Sequence, residues 1–322
     1  MNTVTHRQAV ELLHNKFIVV LGDSNHRSMY KDLVLLLQKD AHLTRSQLKS
    51  KGELVFEHDT LVEGGRMGEM TNGTGYREVR QFCTDHHLIR FYFATCVCCC
   101  VSHFKKGIKP DVVVLNSCLW DVSRYCRQWR PDYKENLNRL FIRLKSVLPD
   151  DCLIIWNMAL PLGWRLTGGF LVPEIQALGP MLRHDVIEAN FYSATLANAY
   201  GLDVLDLHFF FRHSLQHRAD DGVHWNALAH RYITQLLLQH IAHAWGEELL
   251  RQQPAAGGWT CRTLAMRSLY NGGPNFDQND LVLHPRFDDP DHGFVGEPVF
   301  RVSVIVKPQS CSNNEGPISR DI

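Results

Sequence analysis

The sequence predicts an α/β fold with a mostly parallel central sheet and helices on both faces. Short β-branched, apolar runs recur along the chain, at residues 17–21, 88–95, 112–116, 152–158 and 203–207. Between several of them lie segments whose apolar residues repeat at helical spacing. Strands alternating with helices argue for parallel pairing, because a parallel connection needs a crossover and the crossover covers a face of the sheet. In such sheets ligands gather beyond the carboxyl ends of the strands.

The first strand, FIVVL at residues 17–21, runs into Gly22-Asp23-Ser24-Asn25 and then into a helix whose apolar positions are Met29, Leu33 and Leu36 or Leu37. Ser24 therefore sits at a strand-to-helix turn, beside backbone N–H groups that can hold an anion. A serine there is placed to be a nucleophile; the plainer reading is that Ser24 or Asn25 caps the helix. Later, residues 133–148 carry an apolar stripe at Leu137, Leu140, Phe141, Leu144, Val147 and Leu148, and residues 181–200 and 225–245 read as two more amphipathic helices. The last of these is interrupted by Arg231 and several histidines, which a bilayer span would not tolerate without cost.

After about residue 251 the periodicity fails. Seven of the 13 prolines fall between 251 and 322, among Gly, Asn and Asp, so the reading divides the chain into a domain at 1–250 and a poorly ordered tail at 251–322. The 322 residues are 45% apolar, enough for a sizeable core, and 34 basic against 34 acidic residues leave no net field to draw the chain to nucleic acid or an anionic membrane. The amino terminus lacks an apolar signal core, so the expected location is intracellular and cytoplasmic, with no transmembrane segment. The ten cysteines are then reduced thiols. Cys96, Cys98, Cys99 and Cys100 form a CVCCC cluster without the CxxC spacing that wraps zinc, so core packing is favoured over S-acylation or metal binding.

A serine nucleophile needs a base. In DGVH, Asp221 and His224 stand three residues apart before the final helix, with Gly222 to turn the chain. That spacing can set the carboxylate against Nδ1 and leave Nε2 free to take a serine proton. GDS near one end and DxxH near the other resemble the SGNH or GDSL hydrolases, which implies a three-layer α/β/α sandwich. The nucleophile elbow GxSxG of the α/β-hydrolases is absent, since His26 stands where its second glycine would be. The strings LLHNKFIVVLGDS, YKDLVLLLQKD, YREVRQF, VVLNSCLWDVSRY, DVLDLHFFFRH and DGVHWNALAH resemble the PC-esterase domain-containing proteins, a branch of that superfamily, over roughly residues 8 to 250.

The resemblance implies Ser24 as nucleophile, His224 as base and Asp221 as its orienter. Should His224 not be the base, His26 or His208 is next in line. It also implies an oxyanion hole from the N–H of Ser24, a glycine N–H after the second strand and an asparagine side chain after the third. LVEGGRMG offers Gly64 and Gly65, of which Gly65 is taken. The usual GxND becomes Asn116-Ser-Cys-Leu-Trp-Asp121, which would put Trp120 where asparagine is expected; Asn116 is the nearest amide donor, and a strand-end turn residue otherwise. The loop WNMALPLGWRLTGGF is expected over the site, with Gly168 and Gly169 letting it move and Asn157 and Trp164 touching substrate. The expected activity is hydrolysis of a small-molecule or biopolymer acyl ester, O-acyl groups on glycans among them, with no metal or organic cofactor. The competing reading, favoured by the altered GxND block, is a binding or scaffold protein that keeps the fold without the activity.

Overall fold

In a computed structural model the described residues are 3–249 apart from 72–74, 96–103, 105–106, 126–127 and 168–170. The cysteine cluster, Gly168, Gly169 and the tail lie outside them. The elements are α1 (His6–Leu12), β1 (Lys16–Gly22), α2 (Ser24–Gln38), α3 (Arg45–Lys49), β2 (Thr60–Gly64), β3 (Glu78–Cys83), β4 (His87–Phe93), β5 (Val112–Leu115), α4 (Cys118–Trp120), α5 (Trp129–Val147), β6 (Leu153–Asn157), α6 (Gly179–Ala199), β7 (Asp203–Leu205), α7 (Leu207–Phe211) and α8 (Ala227–Ala244). A one-turn π-helix, Asp121–Tyr125, follows α4.

Seven strands form one sheet in the order β2-β3-β4-β1-β5-β6-β7. The five expected strands are its parallel portion: β1 pairs with β4 and β5, β5 with β6, and β6 with β7. Side chains of β1 alternate between two cores, Ile18 and Val20 joining one and Phe17, Val19 and Leu21 the other. α2 and α8 supply the first core with Leu33, Leu36, Ile233 and Leu237; α5 and α6 supply the second with Leu137, Phe141, Leu144 and Val186. Both faces of the sheet are thus covered by helices, and β1 lies in the interior, where its six residues from Phe17 to Gly22 are buried.

Two strands, β2 and β3, extend the sheet antiparallel beyond β4. Their sequences, TLVEG and EVRQFC, carry charges that a search for apolar runs passes over. Arg80 and Glu78 are nevertheless buried, because each faces an opposite charge. α2 is likewise buried nearly all round, from His26 to Leu37, although its sequence reads as amphipathic. Lys31 and Asp32 go inside with it, Lys31 paired to Glu53 and Asp32 to Arg231 of α8 at 3.0 Å. Among the described residues no helix is long and apolar enough to cross a membrane.

Candidate active site

The β1–α2 turn is held by Asp23. Its side chain accepts from the N–H groups of Asn25, at 3.0 Å, and His26, at 3.4 Å, so Asp23 is the N-cap in place of the expected Ser24 or Asn25. Ser24 becomes the first helical residue. Its hydroxyl is released from capping, and among the described residues its N–H has no hydrogen-bond partner, as is usual for the uncapped first amides of a helix. Gly22 is required for close approach: a Cβ there would lie 2.4 Å from Cγ of His26. Burial would raise the Asp23 pKa, but bonding to His26, the charges of His26 and His224, and the N–H of Asn25 outweigh it and hold the carboxyl below its ordinary range.

The DGVH segment folds on itself as its spacing demands. Oδ1 of Asp221 accepts from the backbone N–H of Val223 at 2.9 Å and of His224 at 3.0 Å, while Oδ2 stands 2.6 Å from Nδ1 of His224. Burial pushes the Asp221 pKa up, and these backbone and side-chain hydrogen bonds more than reverse it, so the carboxyl stays ionised below its usual range. Gly222 has a φ of +80°, and a Cβ on it would meet the carbonyl oxygen of Arg165 at 2.2 Å. That contact belongs to a strap laid over the turn by the chain leaving β6, in which Gly163 N–H donates to Gly222 C=O at 2.8 Å and Thr167 N–H to Asp221 C=O at 3.0 Å.

The two segments meet where α2 and α8 begin. Oγ of Ser24 lies 2.7 Å from Nε2 of His224. Asn25 Nδ2 donates to Val223 C=O at 3.3 Å, tying the nucleophile turn to the base turn. A serine hydroxyl, an imidazole and a carboxylate therefore form one hydrogen-bonded line, with His224 open to solvent at 42% of its side chain. The alternative bases point elsewhere: His26 has Nδ1 at 3.4 Å from Asp23 and Nε2 at 3.4 Å from Asn157, and His208 has Nδ1 at 3.1 Å from the carbonyl of Ala159.

Asn116, at the end of β5, shares with Asp23, Asn25 and His26 the lining of a cavity of about 40 Å³ that includes neither Ser24 nor His224. Its Nδ2 donates to the carbonyl of Asn157 and its Oδ1 accepts from Cys118 N–H at 3.2 Å, which leaves one amide hydrogen uncommitted among the described residues. Asn157 lines the same cavity and is fully buried.

Gly65 is a correction. It follows β2, the edge strand, three strand spacings from β1, or roughly 14 Å across the sheet. Its N–H is spent on the carbonyl of Arg77 at 2.8 Å. The strand that adjoins β1 on that side is β4, and the chain leaving it is Ala94 and Thr95, with no glycine. Trp164 is 85% exposed, lies outside the cavity lining, and has the Arg183 guanidinium 5.6 Å from its ring. Trp120 is buried in a hydrophobic core, with Arg124 against its ring. Asp121 is buried, and loss of hydration, only partly offset by a hydrogen bond with Ser117, pushes its pKa up to about 7.

Sequence reasoning expected a loop over the site but missed Asp23 as the cap, the fastening of that loop to Asp221 and Gly222 through Gly163 and Thr167, and Asn190. The side chain of Asn190 clamps both backbone groups of Ala159, at 2.8 and 2.9 Å, and so fixes the exit of β6. The capping preference of Asp before Ser was a usable signal for the first; the other two are long-range and had none. Among the described residues no group of three or more His, Cys, Asp or Glu side chains converges as for a metal ion.

No protein-family model matches the chain. It is 54% identical over 296 residues to PC-esterase domain-containing protein 1A of Homo sapiens, covering 88% of this chain and 65% of that protein. It is 47% identical over 295 residues to PC-esterase domain-containing protein 1B of Rattus norvegicus, covering 86% of this chain and 68% of the relative. The chain thus spans about two thirds of the length of these relatives. Among solved structures, Axe2, an acetylxylan esterase from Geobacillus stearothermophilus, aligns over 73% of this chain and 97% of its own with a TM-score of 0.38 and 13% identity, too distant to bear on residue roles.

Proposed function

The chain belongs to the PC-esterase domain-containing protein family, and from that premise we propose that it is a serine esterase on an SGNH-type three-layer α/β/α framework. The observation that carries the reading is the unbroken line from Ser24 Oγ through His224 to Asp221, at 2.7 and 2.6 Å. Both distances are within reach for proton transfer and for fixing the imidazole tautomer.

Ser24 Oγ attacks the ester carbonyl carbon and passes its proton to Nε2 of His224, and Asp221 stabilises the imidazolium that results. The carbonyl oxygen becomes an oxyanion, held by the N–H of Ser24 and the uncommitted amide hydrogen of Asn116. Collapse breaks the bond to the alcohol, which leaves with the proton from His224, and Ser24 carries the acyl group. Water then repeats the sequence: His224 takes its proton, hydroxide adds to the acyl carbon, and the acid departs as Oγ is reprotonated. The two backbone N–H groups on Asp221 Oδ1 keep that carboxylate from rotating during the cycle. The alcohol released can belong to a glycan or another biopolymer.

The test is labelling by a fluorophosphonate probe together with turnover of acyl esters. The parent is expected to label at Ser24 and the Ser24→Ala variant to be silent in both assays. Equal labelling of the two, or a folded parent that neither labels nor turns over any ester, would remove the assignment in favour of a binding protein.

A further inference from the structure

We propose that the surface around Trp164, Phe209 and Leu215 docks the protein onto an anionic lipid membrane. This goes beyond the esterase reading and stands independently of it. The first observation is apolar. Trp164 is 85% exposed, Phe209 52% and Leu215 42%, and large apolar side chains gathered in water mark a surface that a partner covers. They flank the catalytic turn, because both chain neighbours of Trp164 touch Gly222: Gly163 N–H donates to its carbonyl at 2.8 Å, and a Cβ on Gly222 would lie 2.2 Å from the carbonyl oxygen of Arg165.

The second observation is charge. The Arg183 guanidinium stands over the Trp164 ring at 5.6 Å and that of Arg212 over the Phe209 ring at 3.4 Å. Arg218 donates its backbone N–H to Leu215 C=O at 3.1 Å and Nη1 to Leu162 C=O at 3.0 Å, in the strap that carries Trp164. The patch is continuous, since Arg183 acts electrostatically on Arg218 and, with Arg212, on His208, the chain neighbour of Phe209. Among the described residues none of the three arginines forms an ion pair. Carboxylates on the same segments are engaged elsewhere or stand apart: Asp206 accepts from Phe209 N–H at 2.8 Å, Asp221 holds His224, and Asp220 is exposed. Burial and the like charge of Arg183 lower the Arg218 pKa, with no carboxylate opposing them. A chain with equal numbers of acidic and basic residues thus carries a local positive field.

Charge and apolar tips together select the occupant. A small anion would meet the guanidiniums and leave three apolar side chains in water. A single-stranded nucleic acid would stack its bases on aromatic faces, but a guanidinium already stands over each ring and Leu215 has no face to offer. An anionic membrane uses every group: Trp sits at headgroup level, Phe and Leu reach the acyl boundary, and guanidiniums bond lipid phosphates.

The experiment sediments the full chain with vesicles of phosphatidylcholine alone and of phosphatidylcholine mixed with phosphatidylserine. Partitioning into the anionic vesicles is expected to exceed that into the neutral ones by about tenfold or more and to weaken as salt is added. Arg183→Gln should lower it by about fivefold, the scale for one arginine near such a surface. Trp164→Ala should lower it by about fivefold through lost apolar contact, with the salt dependence retained. Arg45→Gln, an exposed change on α3, should leave it unaltered. Equal partitioning into both vesicle types overturns the inference, as does an equal loss in Arg45→Gln and Arg183→Gln. So does heparin binding that displaces the vesicles while Trp164→Ala changes neither, the behaviour of a site for soluble polyanions. None of these readouts uses turnover, so a failed esterase assay and a failed docking assay are told apart.

Discussion

Helix α2 has two neighbourhoods that treat buried polarity in opposite ways. At its amino end it meets the exit of β1 and the start of α8, and there Asn25 Oδ1, Asn157 Oδ1 and Trp225 Nε1 have no hydrogen-bond partner among the described residues. From Arg27 to Lys31 the same helix faces β3 and the chain that leads into β2. Here Arg27 meets Glu78 at 3.2 Å and Lys31 meets Glu53, while Arg80 grips Asp59 through two bonds of 2.7 Å, with Tyr30 adding a third to that carboxylate at 2.9 Å. Burial has consequences at both places. At the edge it leaves charge paired; around the site it strips hydration from groups that no opposite charge fully compensates, and the pKa of His230 is driven down to about 3 by burial and by the nearby charges of His224 and His26, against a smaller opposing effect of Asp23 and a backbone hydrogen bond with Trp225. The difference teaches where each neighbourhood is expected to be sensitive: substitutions at the edge should act on stability, and substitutions at the amino end on reaction.

The largest expected effect tests the reactive side. Ser24→Ala should lower ester turnover by roughly a thousandfold or more and leave the melting temperature nearly unchanged, because the lost hydroxyl caps nothing. Assay and thermal melt on one preparation check it; a large drop in melting temperature would erase the contrast. The converse follows at the edge. Arg80→Leu leaves Asp59 and Glu78 buried with one fewer cation and should cost about 3–5 kcal/mol of stability, while turnover per folded molecule stays near that of the parent. Denaturant unfolding with active-site titration measures both.

Asn116 sharpens the boundary between the two regions, for it has structural bonds and a spare amide hydrogen. Asn116→Ala should reduce kcat by about a hundredfold with little change in KM, the scale for loss of one oxyanion donor. A stable variant with undiminished kcat would make Asn116 a turn residue only.

The smallest effect concerns Asp121, a buried carboxyl without a cation among its influences. Its folded pKa of about 7 lies above the unfolded value of about 3.9, so between those pH values the folded state holds a proton that the unfolded state has lost. Stability from this group is therefore present in acid and declines as pH rises toward 7. Asp121→Asn, which cannot ionise, should gain roughly 1–2 kcal/mol on the parent between pH 5 and pH 8, less than the full shift implies because the site relaxes. Melts at the two pH values read the sign; a gain in the opposite direction would mean that the carboxylate is the form the fold prefers.

The sequence by itself determined what is encoded within a few residues. The five parallel strands were legible because strands buried on both faces read as unbroken apolar runs, and α5 and α6 because their stripes recur every three or four positions. The Asp221–His224 contact was legible because a three-residue spacing with glycine between closes on itself whatever surrounds it. Only the tertiary structure decided the rest. Whether Ser24 Oγ meets His224 Nε2 depends on α2 and α8 packing side by side, and no local pattern states that two helix starts 200 residues apart will coincide. The same holds for Gly65, removed from the site by a strand order in which β2 lies three places from β1. Trp164 turned out to face solvent because the strap it rides is fastened to Asp221 and Gly222 by backbone atoms, which carry no sequence signature. The unpaired oxygens of Asn25 and Asn157 belong to this second class, since a polar atom is left without a partner only by the sum of everything packed around it.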